Sequence, residues 1–261
     1  FFNIKHNENI KKYITIPEES FPIIKDKLDV NYKYKIILQP SNIDLGRNKL
    51  QFINQEISED YVVFLHDDDL YSDEIAEKAF ELLSQFKPSA LAFKATTINF
   101  DDFILSKRNS YSPKKIIKVN SIDMLKRYFL PFEKCLIAPS IFYKSSDLKE
   151  YWKNCPNTIG PHEDVKMNYF LAKIGLFLEI KDIRYYFYRI HGNQDSSNLN
   201  SKARLKLIVW LKSLKINSFL KYFLVTSSFL QYLVFNKKIY FNYYYVFIPS
   251  YRYPWGVQII S

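Results

Sequence analysis

One segment constrains this chain more than any other: an apolar run at residues 61–65 leads directly into His-Asp-Asp-Asp at 66–69. A buried strand that ends in adjacent carboxylates is electrostatically unfavourable, because like charges at contact distance resist joint ionisation. A divalent cation that carries a phosphate relieves the repulsion, since Mg²⁺ binds one or two carboxylates together with phosphate oxygens. A solvated loop after a core strand is the simpler alternative. The segment predicts one of these two arrangements.

The first two-thirds of the chain alternate between strand-like and helix-like patterns. Predicted strands lie at 13–16, 35–38, 61–65, 91–98, 140–143, 176–180 and 184–190, and predicted helices at 47–57, 72–86, 121–129 and 165–174. Ser72 is expected to cap the second helix. This alternation predicts an α/β fold with a mainly parallel sheet and helices on both faces. Ligands in such sheets bind beyond the carboxyl ends of strands, which is where residues 67–69 fall.

Two further polar segments could join the acids in one site. Residues 160–164 read Gly-Pro-His-Glu-Asp and bring Glu163 and Asp164 to a helix start, where the helix dipole favours negative charge. Residues 188–197 follow the last predicted strand and include His191. Each segment alone has a simpler structural explanation, as a helix cap or a hydrogen-bonded turn. Their occurrence together, in this order, favours a common site.

The positive charge of the chain is concentrated at its C-terminal end. Residues 196–261 hold nine Lys or Arg and no Asp or Glu, interleaved with many aromatic residues, so the rest of the chain is nearly neutral. Such a surface suits an anionic membrane face, and it would also accept nucleic acid. A helical subdomain with a solvated basic face is the third alternative. No apolar run reaches the roughly 20 residues that span a bilayer, so any membrane contact is expected to be peripheral.

The two cysteines, Cys135 and Cys155, lack a metal-binding spacing. Two isolated cysteines indicate reduced thiols and a cytoplasmic protein rather than a disulfide-stabilised one.

The ordered motifs over residues 11–198 resemble those of family 2 glycosyltransferases, which have the GT-A fold. The resembling segments are Ile-Thr-Ile-Pro-Glu-Glu-Ser at 14–20, Asn-Ile-Asp-Leu-Gly-Arg-Asn at 42–48, Phe-Leu-His-Asp-Asp-Asp at 64–69, Ser-Ile-Phe-Tyr-Lys at 140–144, Glu-Asp at 163–164 and Tyr-Arg-Ile-His-Gly-Asn at 188–193. The third corresponds to the stretch that carries the DxD motif of the family. The resemblance implies an enzyme that transfers a sugar from a nucleotide diphosphate.

The resemblance also implies roles for particular residues around the donor. Asp68 would bind a divalent metal, Mn²⁺ or Mg²⁺, on the nucleotide diphosphate, with Asp69 supporting the metal site and His191 helping to neutralise the diphosphate. Asp67 would lie near the ribose. Further nucleotide contacts would come from Glu18, Asn42, Gly46, Arg47 and Asn48.

On the acceptor side, Asp164 would take the proton from the attacking hydroxyl, and Glu163 would position the acceptor. A single base with direct attack implies inversion at the sugar carbon.

Three departures from the family pattern stand out. His66 replaces the first acid of the DxD stretch, which would reshape the ribose and metal contacts. Residues 17–19, Pro-Glu-Glu, replace Asp-Asp-Gly at the nucleobase, so the base could differ from uridine. The opening strand of the family, with its Pro-x-Tyr-Asn signature, is missing from the sequence, so part of the nucleotide pocket is expected to be missing with it.

We therefore expect two regions: a GT-A domain at 1–198 and a basic, aromatic, helical extension at 199–261. The expected function is an inverting, metal-dependent glycosyltransferase that uses a nucleotide-sugar, most simply a UDP-sugar, and acts on a glycan or lipid-linked acceptor in surface polysaccharide synthesis. It would work in the cytoplasm, peripherally at the inner membrane face, through residues 202–252; no nucleic-acid partner is expected. The main alternative is a non-catalytic, degenerate transferase fold that docks on a membrane or a partner. Among enzymes, a nucleotidyltransferase would also use a metal-binding pair of acids on an α/β sheet, and the sequence leaves it open.

Overall fold

The computed structural model describes residues 11–25, 34–39, 57–65, 68–99, 101–104, 116–130, 136–154, 163–190 and 201–236. The strands are β1 (Lys12–Pro17), β2 (Tyr34–Gln39), β3 (Tyr61–Val63), β4 (Leu70–Tyr71), β5 (Ala90–Phe93), β6 (Ala95–Ile98), β7 (Ile116–Lys118), β8 (Ile141–Lys144), β9 (Phe177–Ile180) and β10 (Tyr186–Arg189). The helices are α1 (Phe21–Ile24), α2 (Ile75–Phe86), α3 (Ser121–Phe129), α4 (Ser145–Asn154), α5 (Glu163–Ile174), α6 (Ser201–Ser213) and α7 (Ser218–Asn236). The helix predicted at 47–57 lies, except for its last residue, outside these ranges.

Within these ranges the strands form three groups. The largest is a five-stranded sheet in the order β3-β8-β5-β9-β7, the second has the order β4-β10-β6, and β1 pairs with β2 in parallel. Strand β8 runs antiparallel between β3 and β5, whereas β9 is parallel to β5 and β10 is parallel to β6. The predicted α/β class is confirmed. The large sheet is mixed because β8 and β7 run against their neighbours.

The stretch predicted as one strand at 91–98 is two strands, and this prediction was wrong. β5 belongs to the five-stranded sheet and β6 to the three-stranded one, with Lys94 between them. All four residues of β5 are buried, as in a strand covered on both faces, whereas burial alternates along β6. The chain therefore passes from the fully covered sheet to a half-covered one at Lys94. A run of apolar residues does not reveal such a break.

The predicted cap at Ser72 was also wrong. Helix α2 begins at Ile75 with Glu74 at its N-cap, and Ser72 contributes only its carbonyl oxygen, which accepts a hydrogen bond from the Ile75 N–H at 3.1 Å. The Ser72 hydroxyl is buried and has no hydrogen-bond partner among the residues that the structure describes. The predicted inward face is otherwise present, since Ile75, Ala79 and Leu82 are almost completely buried.

The end of helix α5 requires a glycine. A Cβ atom added at Gly175 would overlap the Ser89 hydroxyl and would lie 3.0 Å from the Ser89 Cβ. This close approach allows the chain to turn from α5 directly into β9, beside the start of β5.

The C-terminal helices α6 and α7 pack onto the α/β body through a shared apolar core. Its buried members come from α3, α5, α6 and α7: Leu125, Phe129, Val165, Tyr169, Leu207, Leu211 and Leu224. In the described part of the chain, no helix combines the length and apolar character needed to cross a membrane.

Candidate functional site

The acidic turn, Asp68 and Asp69, lies at the carboxyl ends of β6 and β10. Asp69 directly precedes β4, and β4 pairs antiparallel with β10 through Leu70 and Phe187. Because β6 and β10 are parallel, their carboxyl ends lie on the same side of the sheet, and the acidic turn lies at that side. Asp68 and Asp69 therefore lie beyond the carboxyl ends of strands, as predicted.

Asp69 points into the protein. Its side chain is 7% exposed, and its two carboxylate oxygens accept hydrogen bonds from the Tyr186 hydroxyl at 2.6 Å and the Arg189 backbone N–H at 2.9 Å. Burial raises the pKa of Asp69 to about 6, although the hydrogen bonds from Tyr186 and Arg189 act in the opposite direction. Asp69 thus fastens the turn to β10. Its support of a metal site stays a prediction.

Asp68 has a half-buried side chain, and its backbone carbonyl accepts a hydrogen bond from Arg189 Nε at 2.7 Å. Of the predicted metal-site residues, Asp68 and Asp69 are described, whereas His191 and the neighbouring Asp67 lie outside the described residues.

The donor chemistry of Asp68 fits a hard divalent cation. Among the described residues, no group of three His, Cys, Asp or Glu is arranged to hold a metal by itself. Mg²⁺ and Mn²⁺ favour carboxylate and water oxygens, and Mg²⁺ commonly takes one or two carboxylates with the rest of its shell from substrate phosphate and water. A metal bound through Asp68 would accordingly arrive with its phosphate ligand.

Glu163 and Asp164 lie in the first turn of α5, as predicted. Glu163 is buried, accepts a hydrogen bond from the Tyr151 hydroxyl and pairs with Lys166 at 3.4 Å. Its observed contacts are therefore with the protein interior, and its positioning of an acceptor stays a prediction. Asp164 is half-buried.

Tyr143 on β8 pairs with Val62 of β3, the strand that leads into the acids. The Tyr143 side chain is fully buried, and its pKa is raised well above the usual value, first by burial and then by the nearby negative charge of Asp164. The Tyr143 ring centre lies 6.2 Å from that of Phe64, which follows β3. The ring of Tyr143 therefore packs beside the segment that leads into the acidic turn.

Of the predicted nucleotide contacts, Glu18 is the one that the structure describes. It is exposed in the turn after β1, at the carboxyl end of that strand. Asn42, Gly46, Arg47 and Asn48 lie outside the described residues.

Sequence reasoning missed two residues of this site, Tyr186 and Arg189. Arg189 was part of the polar segment at 188–197 but received no role, and Tyr186 belongs to an aromatic run that reads as an ordinary core strand. The available signal was an arginine at the end of the last strand, three residues after Tyr186.

The fold and the site together define an α/β protein with an acidic turn at the carboxyl ends of β6 and β10. No protein-family model and no curated protein matches the chain.

Solved structures of S. aureus TarS share this fold. TarS 1-349 in complex with UDP-GlcNAc superposes with a TM-score of 0.61 at 14% sequence identity, covering 87% of this chain and 64% of that one. TarS 1-349 in complex with UDP gives a TM-score of 0.59 at 13% identity, covering 91% and 67%. The chain thus spans about two-thirds of the TarS 1-349 chains. TarS is a family 2 glycosyltransferase with the GT-A fold, so the predicted fold class is confirmed.

Proposed function

We propose that this chain is a glycosyltransferase that moves a sugar from a nucleotide diphosphate to a glycan or lipid-linked acceptor, with inversion, in surface polysaccharide synthesis. The observation that carries the proposal is the acidic turn, which hydrogen bonds from β10 hold at the carboxyl end of that strand. The fold around this turn is shared with TarS. The TarS structures with UDP and UDP-GlcNAc favour a uridine nucleotide as donor.

The donor diphosphate is proposed to bind at the acidic turn. Asp68 would hold a divalent metal there, His191 would help to neutralise the diphosphate, and Asp67 would contact the ribose. When bound, the metal neutralises the charge that develops on the departing diphosphate. Asp69 keeps the turn in place through Tyr186 and the Arg189 N–H. The nucleoside would contact Glu18, Asn42, Gly46, Arg47 and Asn48.

Asp164 is the proposed general base. It would accept the proton from the acceptor hydroxyl while that oxygen attacks the anomeric carbon and the diphosphate leaves from the opposite side. This single displacement inverts the configuration of the sugar. The N-terminal turn of α5 suits the role, because the helix dipole stabilises a negative charge there. Glu163 is proposed to act beside it by shaping the acceptor side.

The test measures UDP binding by calorimetry with and without Mn²⁺, and turnover of UDP-GlcNAc, for three variants of this chain. Asp68→Ala should lose the Mn²⁺-dependent part of UDP binding. Asp164→Asn should bind UDP normally but lose turnover by about 10²- to 10⁴-fold, the usual contribution of a general base. Asp73→Asn, which changes an exposed acid next to β4, is the matched control and should behave as the unmodified protein. Mn²⁺-dependent binding that survives in Asp68→Ala would contradict the assignment.

Docking on a membrane, with or without transferase activity, is favoured by one observation on α7. Five large apolar side chains are exposed at helical spacing along one face of this helix: Phe219, Tyr222, Phe223, Phe229 and Leu230. The opposite face holds Leu224 and Ser228, which are buried against the body. Helix α7 therefore has one face buried against the body and an apolar stripe on its outward face.

We propose that the outward stripe rests on an anionic lipid surface at the inner face of the membrane. Residues 201–236 carry six Lys or Arg and no Asp or Glu, so the net positive charge of these two helices complements acidic headgroups. An amphipathic helix of this kind lies in the interface with its apolar face inserted. In this proposal the docking serves the transferase, by bringing its site to a lipid-linked acceptor.

Vesicle co-sedimentation tests the docking. The protein should bind vesicles of phosphatidylcholine with phosphatidylglycerol, bind phosphatidylcholine alone weakly, and dissociate as salt is added. The triple variant Phe219→Ser, Tyr222→Ser, Phe223→Ser should lower partitioning by at least about tenfold, since burying one large apolar side chain contributes about 1.5–3 kcal/mol. Ile23→Ser, at an exposed position of α1, is the control.

Two outcomes would overturn the docking proposal. One is unchanged vesicle binding in the triple variant. The other is loss of a dimer on gel filtration without any effect on vesicles, which would make the stripe an interface between two copies of this chain. Vesicle binding without UDP binding by the unmodified protein would instead favour the non-catalytic docking module over the enzyme.

A further inference from the structure

We infer that Arg189 is a positioning residue, which locks the acidic turn to the loop that follows β6. We call this loop, residues 99 and 101–104, the Asn99 loop. Strand β10 lies between β4 and β6 and ends at Arg189, so the arginine lies between the acidic turn, which precedes β4, and the loop that follows β6. The inference rests on the proposed function, because it assigns Arg189 to the same site as Asp68.

Four contacts of Arg189 define the lock. Its backbone N–H donates to the Asp69 carboxylate at 2.9 Å, and its Nε donates to the Asp68 carbonyl oxygen at 2.7 Å. Its Nη1 donates to the Asn99 carbonyl oxygen at 3.1 Å and pairs with the Asp102 carboxylate at 2.5 Å. The guanidinium is planar and its donors have a fixed geometry, so the Asp68 carbonyl and the Asp102 carboxylate are held at a fixed relative position.

The Asn99 loop is ordered by its own hydrogen bonds. The Asn99 side-chain oxygen accepts from the Asp101 N–H at 3.0 Å and the Phe103 N–H at 2.8 Å, and the Asn99 N–H donates to the Phe103 carbonyl at 3.0 Å. A β-bridge between Ile98 and Ile104 closes the base of the loop. The loop is thus a small preformed unit, and Arg189 fastens this unit to the acidic turn.

Burial indicates that the arginine is integral to the site. Its side chain is 14% exposed, whereas that of Asp102 is 59% exposed. Loss of the guanidinium would leave the Asp68 carbonyl without this donor and Asp102 without this cation. A misplacement of about 1 Å at a reacting group can cost about 10²-fold in rate. The position of the Asp68 backbone, and with it the direction of the Asp68 carboxylate, depends on Arg189.

The experiment compares Arg189→Met, Arg189→Lys and Asp102→Asn in the full chain by backbone amide hydrogen exchange. Arg189→Met should speed exchange by about tenfold or more in peptides that cover both the acidic turn and the Asn99 loop, because local opening becomes easier. Asp102→Asn, which keeps the bond to Asp68, should speed exchange in the Asn99 loop alone. Arg189→Lys keeps the positive charge but loses the planar set of guanidinium donors, so its exchange rate should fall between those of the unmodified protein and Arg189→Met.

Mn²⁺-dependent UDP binding gives the second readout. Mn²⁺-dependent UDP affinity should fall by about tenfold in Arg189→Met and be partly restored in Arg189→Lys, in step with exchange at the acidic turn. Unchanged exchange at the acidic turn in Arg189→Met would overturn the inference, and so would a uniform rise of exchange over the whole chain. If the unmodified protein binds no UDP, the proposed function fails, while the exchange data still decide whether Arg189 locks the two segments.

Discussion

Two residues of β10, Tyr186 through its hydroxyl and Arg189 through its backbone N–H, hold the Asp69 carboxylate. Tyr186 and Arg189 take up both oxygens of Asp69, so that carboxylate serves the structure, while Asp68 keeps a half-buried side chain at the edge of the site. The Tyr186 hydroxyl is the critical group because it is fully buried beside a buried acid. A buried acceptor that loses its donor pays the desolvation cost without compensation.

Tyr186→Phe should therefore lower the free energy of unfolding by about 1–3 kcal/mol, measured by urea denaturation. Tyr185→Phe is the matched control. The Tyr185 ring packs edge-to-face on Phe93 at 5.3 Å, and phenylalanine keeps that ring, so the expected change is below about 0.5 kcal/mol. Equal losses in the two variants would show that the bond to Asp69 is not what makes Tyr186 important.

At the scale of elements, one carboxylate ties the β1–β2 pair to the segment before β3. Glu59 pairs with Lys11 at 2.5 Å, accepts a hydrogen bond from the Ser58 hydroxyl at 2.9 Å and lies 3.3 Å from the Tyr13 hydroxyl. Burial alone would raise the pKa of Glu59, but the hydrogen bonds from Lys11 and Ser58 outweigh it and lower the pKa to about 2.

The stabilisation that Glu59 provides should depend on pH. Because the pKa of Glu59 is about 2 in the folded chain against 4.5 as its ordinary value, Glu59 stabilises the fold above pH 4.5, and this contribution disappears as the pH falls from 4.5 towards 2. Glu59→Gln should be less stable than the unmodified protein at pH 6, with a difference that shrinks to nothing near pH 2, in urea titrations. Glu150→Gln, at an exposed position of α4, should show no such trend. A difference independent of pH would refute the tie.

The predictions from sequence succeed or fail at this scale for identifiable reasons. Helices α3 and α5 and strands β1, β2 and β9 were predicted within about two residues, because their apolar spacing or apolar runs belong to one element each. The strand at 91–98 was not predicted correctly, because the break at Lys94 arises from the pairing of its two halves with strands of different sheets. The Ser72 cap failed because residues 72–74 form a turn joined to Tyr185, through a hydrogen bond of 3.0 Å from the Ser72 N–H.

For the molecule as a whole, α6 and α7 are part of the body rather than a loose tail. The Tyr169 and Trp210 rings meet edge-to-face at 5.6 Å, and the Ser227 hydroxyl donates to the Phe129 carbonyl at 3.0 Å. Leu211 and Leu224 are completely buried. The proposed division at 198/199 therefore separates regions that differ in charge but share a core.

Leu211→Ala should lower the free energy of unfolding by about 2–5 kcal/mol and leave a single cooperative transition, because the cavity opens in a core common to both regions. Val209→Ala, on the same helix at a position 66% exposed, should cost little. Calorimetry distinguishes the cases: two separate transitions, with the smaller one alone shifted by Leu211→Ala, would mean that the C-terminal helices fold independently.

The sequence by itself determined the α/β class, the acids beyond a strand end, the pair of acids at the start of α5 and the basic C-terminal region. These features are local, since each depends on residue types within a few positions of one another. Only the tertiary structure decided that Asp69 and Glu163 turn inward, that the large sheet is mixed and that Arg189 contacts both the acidic turn and the Asn99 loop. Asp69 and Tyr186 are 117 positions apart, and a hydrogen bond over that separation depends on how the sheets assemble rather than on any pattern along the chain.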